Sequence, residues 1–85
     1  MSKFHSLRKM VKETRTSTCT LIIVVENGLD RITVKVNEHF TDWARPFPNT
    51  LQKVSSRRSH SLDDAEAYAS HLLDDSLRDG FVRAL

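Results

Sequence analysis

The stretch Thr18-Cys19-Thr20-Leu21-Ile22-Ile23-Val24-Val25-Glu26-Asn27-Gly28-Leu29-Asp30-Arg31-Ile32-Thr33-Val34-Lys35-Val36-Asn37 decides the fold. Its first part, Thr18 to Val25, is rich in β-branched side chains and reads as a strand. The unbroken apolar run Leu21 to Val25 makes it a central strand, covered on both faces over part of its length. Glu26 to Asp30 is a turn, in which Asn27-Gly28 supplies two residues that tolerate positive φ, as a tight hairpin requires. Arg31 to Asn37 then alternates cleanly. Ile32, Val34 and Val36 face inward, and Arg31, Thr33, Lys35 and Asn37 face outward. The hairpin spans 18–37.

Beyond the hairpin the pattern changes. Glu38 to Asn49 is expected to be irregular, since Pro46 and Pro48 bias Arg45 and Phe47 toward extended conformations and exclude a helix. Residues 51–58, Leu-Gln-Lys-Val-Ser-Ser-Arg-Arg, form an edge strand, guarded against aggregation by Lys53, Arg57 and Arg58. Ser61 and Asp64 make a capping box that opens a helix over 62–79. Asp63, Asp64 and Glu66 suit the positive end of that helix. Leu62, Ala65, Ala69, Leu72, Leu73 and Leu77 form its buried stripe, Gly80 closes it, and Phe81 folds back onto its end. Before the hairpin, Phe4, Leu7 and Val11 stand three and four residues apart, which predicts a short helix within residues 3–14. The expected fold is α+β, a small antiparallel sheet packed against the C-terminal helix.

With 85 residues the chain is expected to form one domain, 1–85, with room for one core and none for a deep substrate cavity. A share of 39% apolar and 28% charged residues is that of a folding chain and not of a disordered one. The single cysteine, Cys19, excludes an intrachain disulfide and, opening the apolar run, reads as core. The first ten residues show no apolar signal segment after their charges, and no run is long enough to span a membrane. A soluble cytoplasmic protein is expected.

The net charge of +2 conceals an asymmetry. Residues 1–60 carry eleven basic against five acidic side chains, and residues 61–85 carry six acidic against two basic. Such a split predicts one basic and one acidic surface.

Little in the sequence points to catalysis. There is no nucleophile motif, no glycine-rich phosphate loop and no zinc pattern. His5, His39, His60 and His71 share no ligand spacing, so neither a metal nor a cofactor is expected. Asp63 and Asp64 lie about 15 Å along the helix from Asp74 and Asp75, which makes a solvated face and not a catalytic pair. The informative segment is Phe40-Thr41-Asp42-Trp43-Ala44-Arg45-Pro46-Phe47. In a strand, Trp43 and Arg45 point the same way, where they can stack on bases and grip phosphate. The competing reading buries Trp43 beneath the helix and leaves Arg45 in solvent.

Trp43-Ala44-Arg45, then Ser61-Leu62-Asp63-Asp64-Ala65, then Gly80-Phe81, resemble in order and spacing the signature of WGR domains, over residues 18–81. The sequence departs from that family where Ala44 replaces the central glycine, Pro46-Phe47-Pro48 replaces its turn, and Ser76 stands where a lysine is common. The resemblance implies a non-catalytic module of a twisted antiparallel sheet with one helix. In poly(ADP-ribose) polymerases the Trp and Arg of the motif contact DNA ends, which implies that role for Trp43 and Arg45. The Val24-Val25-Glu26-Asn27-Gly28 hairpin and the Ser61-capped helix are also similar to features of a type I-F anti-CRISPR protein, one of the small phage inhibitors that bind protein surfaces.

Two functions are therefore expected. The first is a nucleic-acid-binding accessory module that uses Lys35, Trp43, Arg45, Lys53, Arg57 and Arg58 on a nucleic acid or nucleoprotein. The second is a protein-binding inhibitor or adaptor, encoded by a phage or mobile element, that uses Asp63, Asp64, Asp74 and Asp75. A basic stripe on one sheet face favours the first, and an exposed apolar patch favours the second.

Overall fold

The computed structural model describes residues 3–43 and 49–84. Strands β1 (Lys3–Glu13), β2 (Ser17–Asn27), β3 (Ile32–Asp42) and β4 (Asn49–Ser59) precede helix α1 (Leu62–Arg78) and a short β5 (Val82–Arg83). They form one antiparallel sheet in the order β4-β3-β2-β1-β5, with α1 on one face. The α+β class is as expected, with five strands where the sequence led to three.

The N-terminal helix is not there. Residues 3–13 form β1 instead, paired along β2 with a bulge between Phe4 and Ser6. The reason lies in β2. Its apolar run makes a central strand, and a central strand must pair on both edges to satisfy its backbone. β3 fills one edge and β1 the other. A lone helix of about three turns is marginal in water and cannot compete with a full ladder. The strand also buries Met10, which the helical stripe left out.

The β2–β3 hairpin forms, but its tip is displaced. Asn27 pairs with Ile32, and the Gly28 N–H donates to the Arg31 carbonyl at 2.7 Å, so Leu29 and Asp30 make the turn. Neither Asn27 nor Gly28 has a positive φ. The observed register sets Val25 opposite Val34 and Ile23 opposite Val36. A tip at Asn27-Gly28 would move β3 four residues along and put Asp30 opposite Val25. Cross-strand apolar packing outweighs local turn preference here.

The core consists of Met10, Ile23, Val25 and Val34 from the sheet and Ala65 and Ala69 from the helix, flanked by Leu21, Ile32, Val36, Leu62, Leu72 and Leu73. Alanines four residues apart let the helix axis approach the sheet closely. Ser61 caps α1, its side chain accepting from the Asp64 N–H at 3.1 Å. Asp79 is the C-cap, and Gly80 follows with φ of 102°, a conformation that favours glycine. The Phe81 N–H donates to the Ser76 carbonyl, so the chain folds back onto the helix end as expected, and the ring packs against the core. Leu77 is an exception to the stripe, 36% exposed where Leu72 and Leu73 pack against the core.

The molecule is long, 46 × 25 × 18 Å. Strands of 11 residues span about 36 Å, whereas the 17-residue helix spans about 25 Å. The helix therefore leaves one end of the sheet bare, where Leu51 is 60% exposed.

Candidate functional site

Strand register sorts the side chains onto two unlike faces. Arg8, Met10 and Lys12 of β1, the odd-numbered residues of β2 and the even-numbered residues of β3 face the helix. The opposite face carries Leu7, Lys9 and Val11 of β1, Ile22 and Val24 of β2, and Lys35, Asn37 and His39 of β3. No element among the described residues packs over it. β2 was expected to be covered on both faces. Ile23 and Val25 are buried, but Ile22 and Val24 remain only partly so.

The predicted basic residues do not converge. Lys35 and Arg58 lie on the open face, where Lys35 Nζ is 3.1 Å from Glu26 Oε1. Lys53 and Arg57 lie on the helix side, opposite Glu38 and Val34 of β3. The Arg57 guanidinium stacks 4.1 Å from the centre of the Tyr68 ring. Trp43 follows β3 and lies eight residues, or roughly 26 Å, from Lys35. Arg45, together with Ala44 and Pro46 to Pro48, lies outside the described residues.

Trp43 does not close the core. Its side chain is 55% exposed, and the indole N–H donates to Thr18 Oγ1 at 3.1 Å at the rim of the open face. Its own backbone N–H donates to the Thr16 carbonyl at 2.6 Å. The backbone is thus anchored while much of the ring meets solvent.

The four aspartates are exposed on α1, in two separate places. Asp63 and Asp64 occupy the first turn, and Asp75 sits 3.3 Å from His71 and 3.6 Å from Arg78. Asp75 is thus engaged along its own helix.

Two features escaped the sequence reading. The first is an apolar strip on the open face. Leu7 of β1 pairs with Val24 of β2, Val11 pairs with Thr20 and lies diagonally from Ile22, whose own partner is Lys9, and Val82 of β5 pairs with Val11. Phe4 and Val82 are 64% and 62% exposed. The alternation Leu7, Lys9, Val11 was the available signal, read at a helical period instead of a strand period.

The second feature is a polar joint between β1 and α1. Ser6 Oγ donates to Glu66 Oε1 at 2.6 Å, and Arg8 Nη2 donates to Glu66 Oε2 at 2.6 Å. His5 Nε2 lies 3.4 Å from Glu66 Oε1. The Ser6 hydrogen bond, then the Arg8 hydrogen bond and charge, hold the Glu66 carboxyl below its ordinary range against the opposing effect of burial. These residues come from distant segments, so no local motif marks them.

Cys19 is buried, as expected. Burial first, and then the Glu38 carboxylate beside it, raise its pKa and keep the thiol protonated. Among the described residues no group of three or more His, Cys, Asp or Glu is arranged to hold a metal ion, and no helix is long and apolar enough to cross a membrane. A shallow groove at the β2–β3 turn is lined by Glu26, Gly28, Asp30, Arg31, Thr33 and Lys35. Its charges are turned on one another, Lys35 to Glu26 and Arg31 to Asp30 at 3.8 Å.

No family model, no curated protein and no solved structure matches this chain. Its own geometry is what bears on function.

Proposed function

We propose that the protein is a small non-catalytic binding module that holds a protein partner against the open face of its sheet, as an inhibitor or adaptor. The observation that carries this reading is the uncovered strip of Leu7, Val11, Ile22, Val24 and Val82. Exposed apolar side chains grouped on a sheet face that no other element covers mark an interaction surface. Its size suits the role. The open face as a whole, polar residues included, spans roughly 700 Å² over four strands, close to the ~800 Å² that each partner contributes to a standard protein interface. Its charge suits it too. Lys9, Lys35 and Arg58 stand against Glu13 and Glu26, a nearly neutral balance that offers phosphates little.

The test is capture of partners by tagged protein, with and without nuclease, beside the double variant Leu7→Glu, Val82→Glu. Nuclease-resistant capture that the double variant loses, while its circular dichroism is unchanged, is expected. Capture that survives both charges would reject the open face.

Trp43 favours a second reading, a nucleic-acid-binding module of the kind the WGR resemblance implies, with Arg45, Lys53, Arg57 and Arg58 as phosphate contacts. A half-exposed indole on an anchored backbone is available for stacking on a base. In that case iodide quenches Trp43 fluorescence, oligonucleotides bind with a steep salt dependence, and Trp43→Ala weakens binding by about 1–3 kcal/mol. Absence of oligonucleotide binding at low salt removes this reading.

A further inference from the structure

The two edges of the sheet are treated differently. On the β1 side, β5 pairs with Met10 and Val11, and the Ala84 N–H donates to the Lys9 carbonyl at 2.8 Å. On the other side β4 is the outermost strand. It has 11 residues, pairs with β3 from end to end without a bulge, and contains neither proline nor glycine. Residues 50–58 are all exposed, and among the described residues no backbone hydrogen bond outside the ladder involves 49–59. Alternate residues of an edge strand turn their N–H and C=O groups outward, so on the order of five residues of β4 present unpaired backbone. Proteins blunt such an edge by shortening, bending, covering or charging it. This one carries only charge. Lys53, Arg57 and Arg58 are its charged residues, and β4 has no acidic side chain.

We infer that the outer edge of β4 is a docking site for an extended acidic peptide, added to the sheet as a further strand. Backbone pairing would supply the affinity and the cations the preference. An acidic strand placed beside β4 brings carboxylates on both of its faces to Lys53 and Arg57 on the helix side and to Arg58 on the open side. A second copy of this chain is a poorer occupant. Two β4 strands side by side would bring six cations together with no carboxylate between them. The inference rests on the protein-binding reading but uses the backbone edge of β4, which has only Arg58 of its cations on the open face and lies three strands from the Leu7–Val82 side.

The experiment uses the whole chain and three blocked synthetic peptides. One repeats Val-Val-Glu-Glu, which puts carboxylates on both faces of a strand, one repeats Val-Val-Lys-Lys, and one is the glutamate peptide with every second amide N-methylated. The expected result is binding of the glutamate peptide, new amide-exchange protection confined to β4, and binding roughly tenfold weaker for Lys53→Glu, Arg58→Glu. The lysine and N-methylated peptides should not bind. Leu7→Glu, Val82→Glu should leave peptide binding intact, so failure of the open face and failure of the β4 edge are read separately. Equal binding of all three peptides, or no protection in β4, overturns the inference. So does concentration-dependent β4 protection without peptide, which would assign the edge to a second copy. Displacement of the glutamate peptide by a single-stranded oligonucleotide that protects the same residues would assign it to nucleic acid.

Discussion

Ser61 and Glu66 show how single side chains hold α1 in place. Ser61 occupies an otherwise unsatisfied helix N–H, that of Asp64. Ser61→Ala should lower stability by about 0.5–2 kcal/mol in chemical denaturation. Glu66 ties the first half of α1 to β1 through Ser6 and Arg8. Its folded-state pKa lies below its unfolded value. Its contribution is therefore complete above the ordinary carboxylate range and is lost as pH falls through the lower, folded value. Thermal melts from neutral pH downward should show stability falling below about pH 4–5. Glu66→Gln should be less stable at neutral pH and should flatten that fall. An unchanged acid slope in Glu66→Gln would place the loss at other carboxylates. The cap was legible because Ser61 and Asp64 are three residues apart. The Glu66 joint was not, because it spans some 60 residues of chain.

At the scale of elements, the β2–β3 hairpin and α1 were both readable, each from its own periodicity. Val34 is fully buried where β3 meets the helix. Val34→Ala should cost about 1–3 kcal/mol through lost burial and the cavity left behind. Thr33→Ala, one residue along on the open face, should cost much less, and denaturation of the two variants in parallel checks the register. β1 was misread because its spacing of three and four fits a helix when taken alone. Only the demand of β2 for a second neighbour converts it to a strand, and that demand is not local. β5 is too short for any periodicity to show it.

For the whole molecule, a helix shorter than the strands it covers, on a sheet with one bare face, leaves much apolar surface in water. The radius of gyration, 14.3 Å, exceeds the roughly 12 Å expected of a compact chain of this length. If the open face is solvent-facing in the free protein, Leu7→Glu, Val82→Glu should shift stability by no more than about 0.5 kcal/mol. A large loss, with a change in sedimentation, would instead show that copies of the chain already cover that face. The division of charge along the sequence carried only partly into space. The helix is acidic and β4 is basic, yet Lys53 and Arg57 point to one side of the sheet and Arg58 to the other. By itself the sequence determined the hairpin, the edge position of β4, the capped helix and the buried Cys19, because each depends on residues within one turn or one alternation of their neighbours. Tertiary structure alone decided that residues 3–13 are a strand, that Trp43 is exposed, that the basic side chains divide between two faces, and that one face of the sheet is left bare. Each of these follows from which strands pair and in what register, and pairing is chosen by the burial of the whole sheet against the helix, which no single segment encodes.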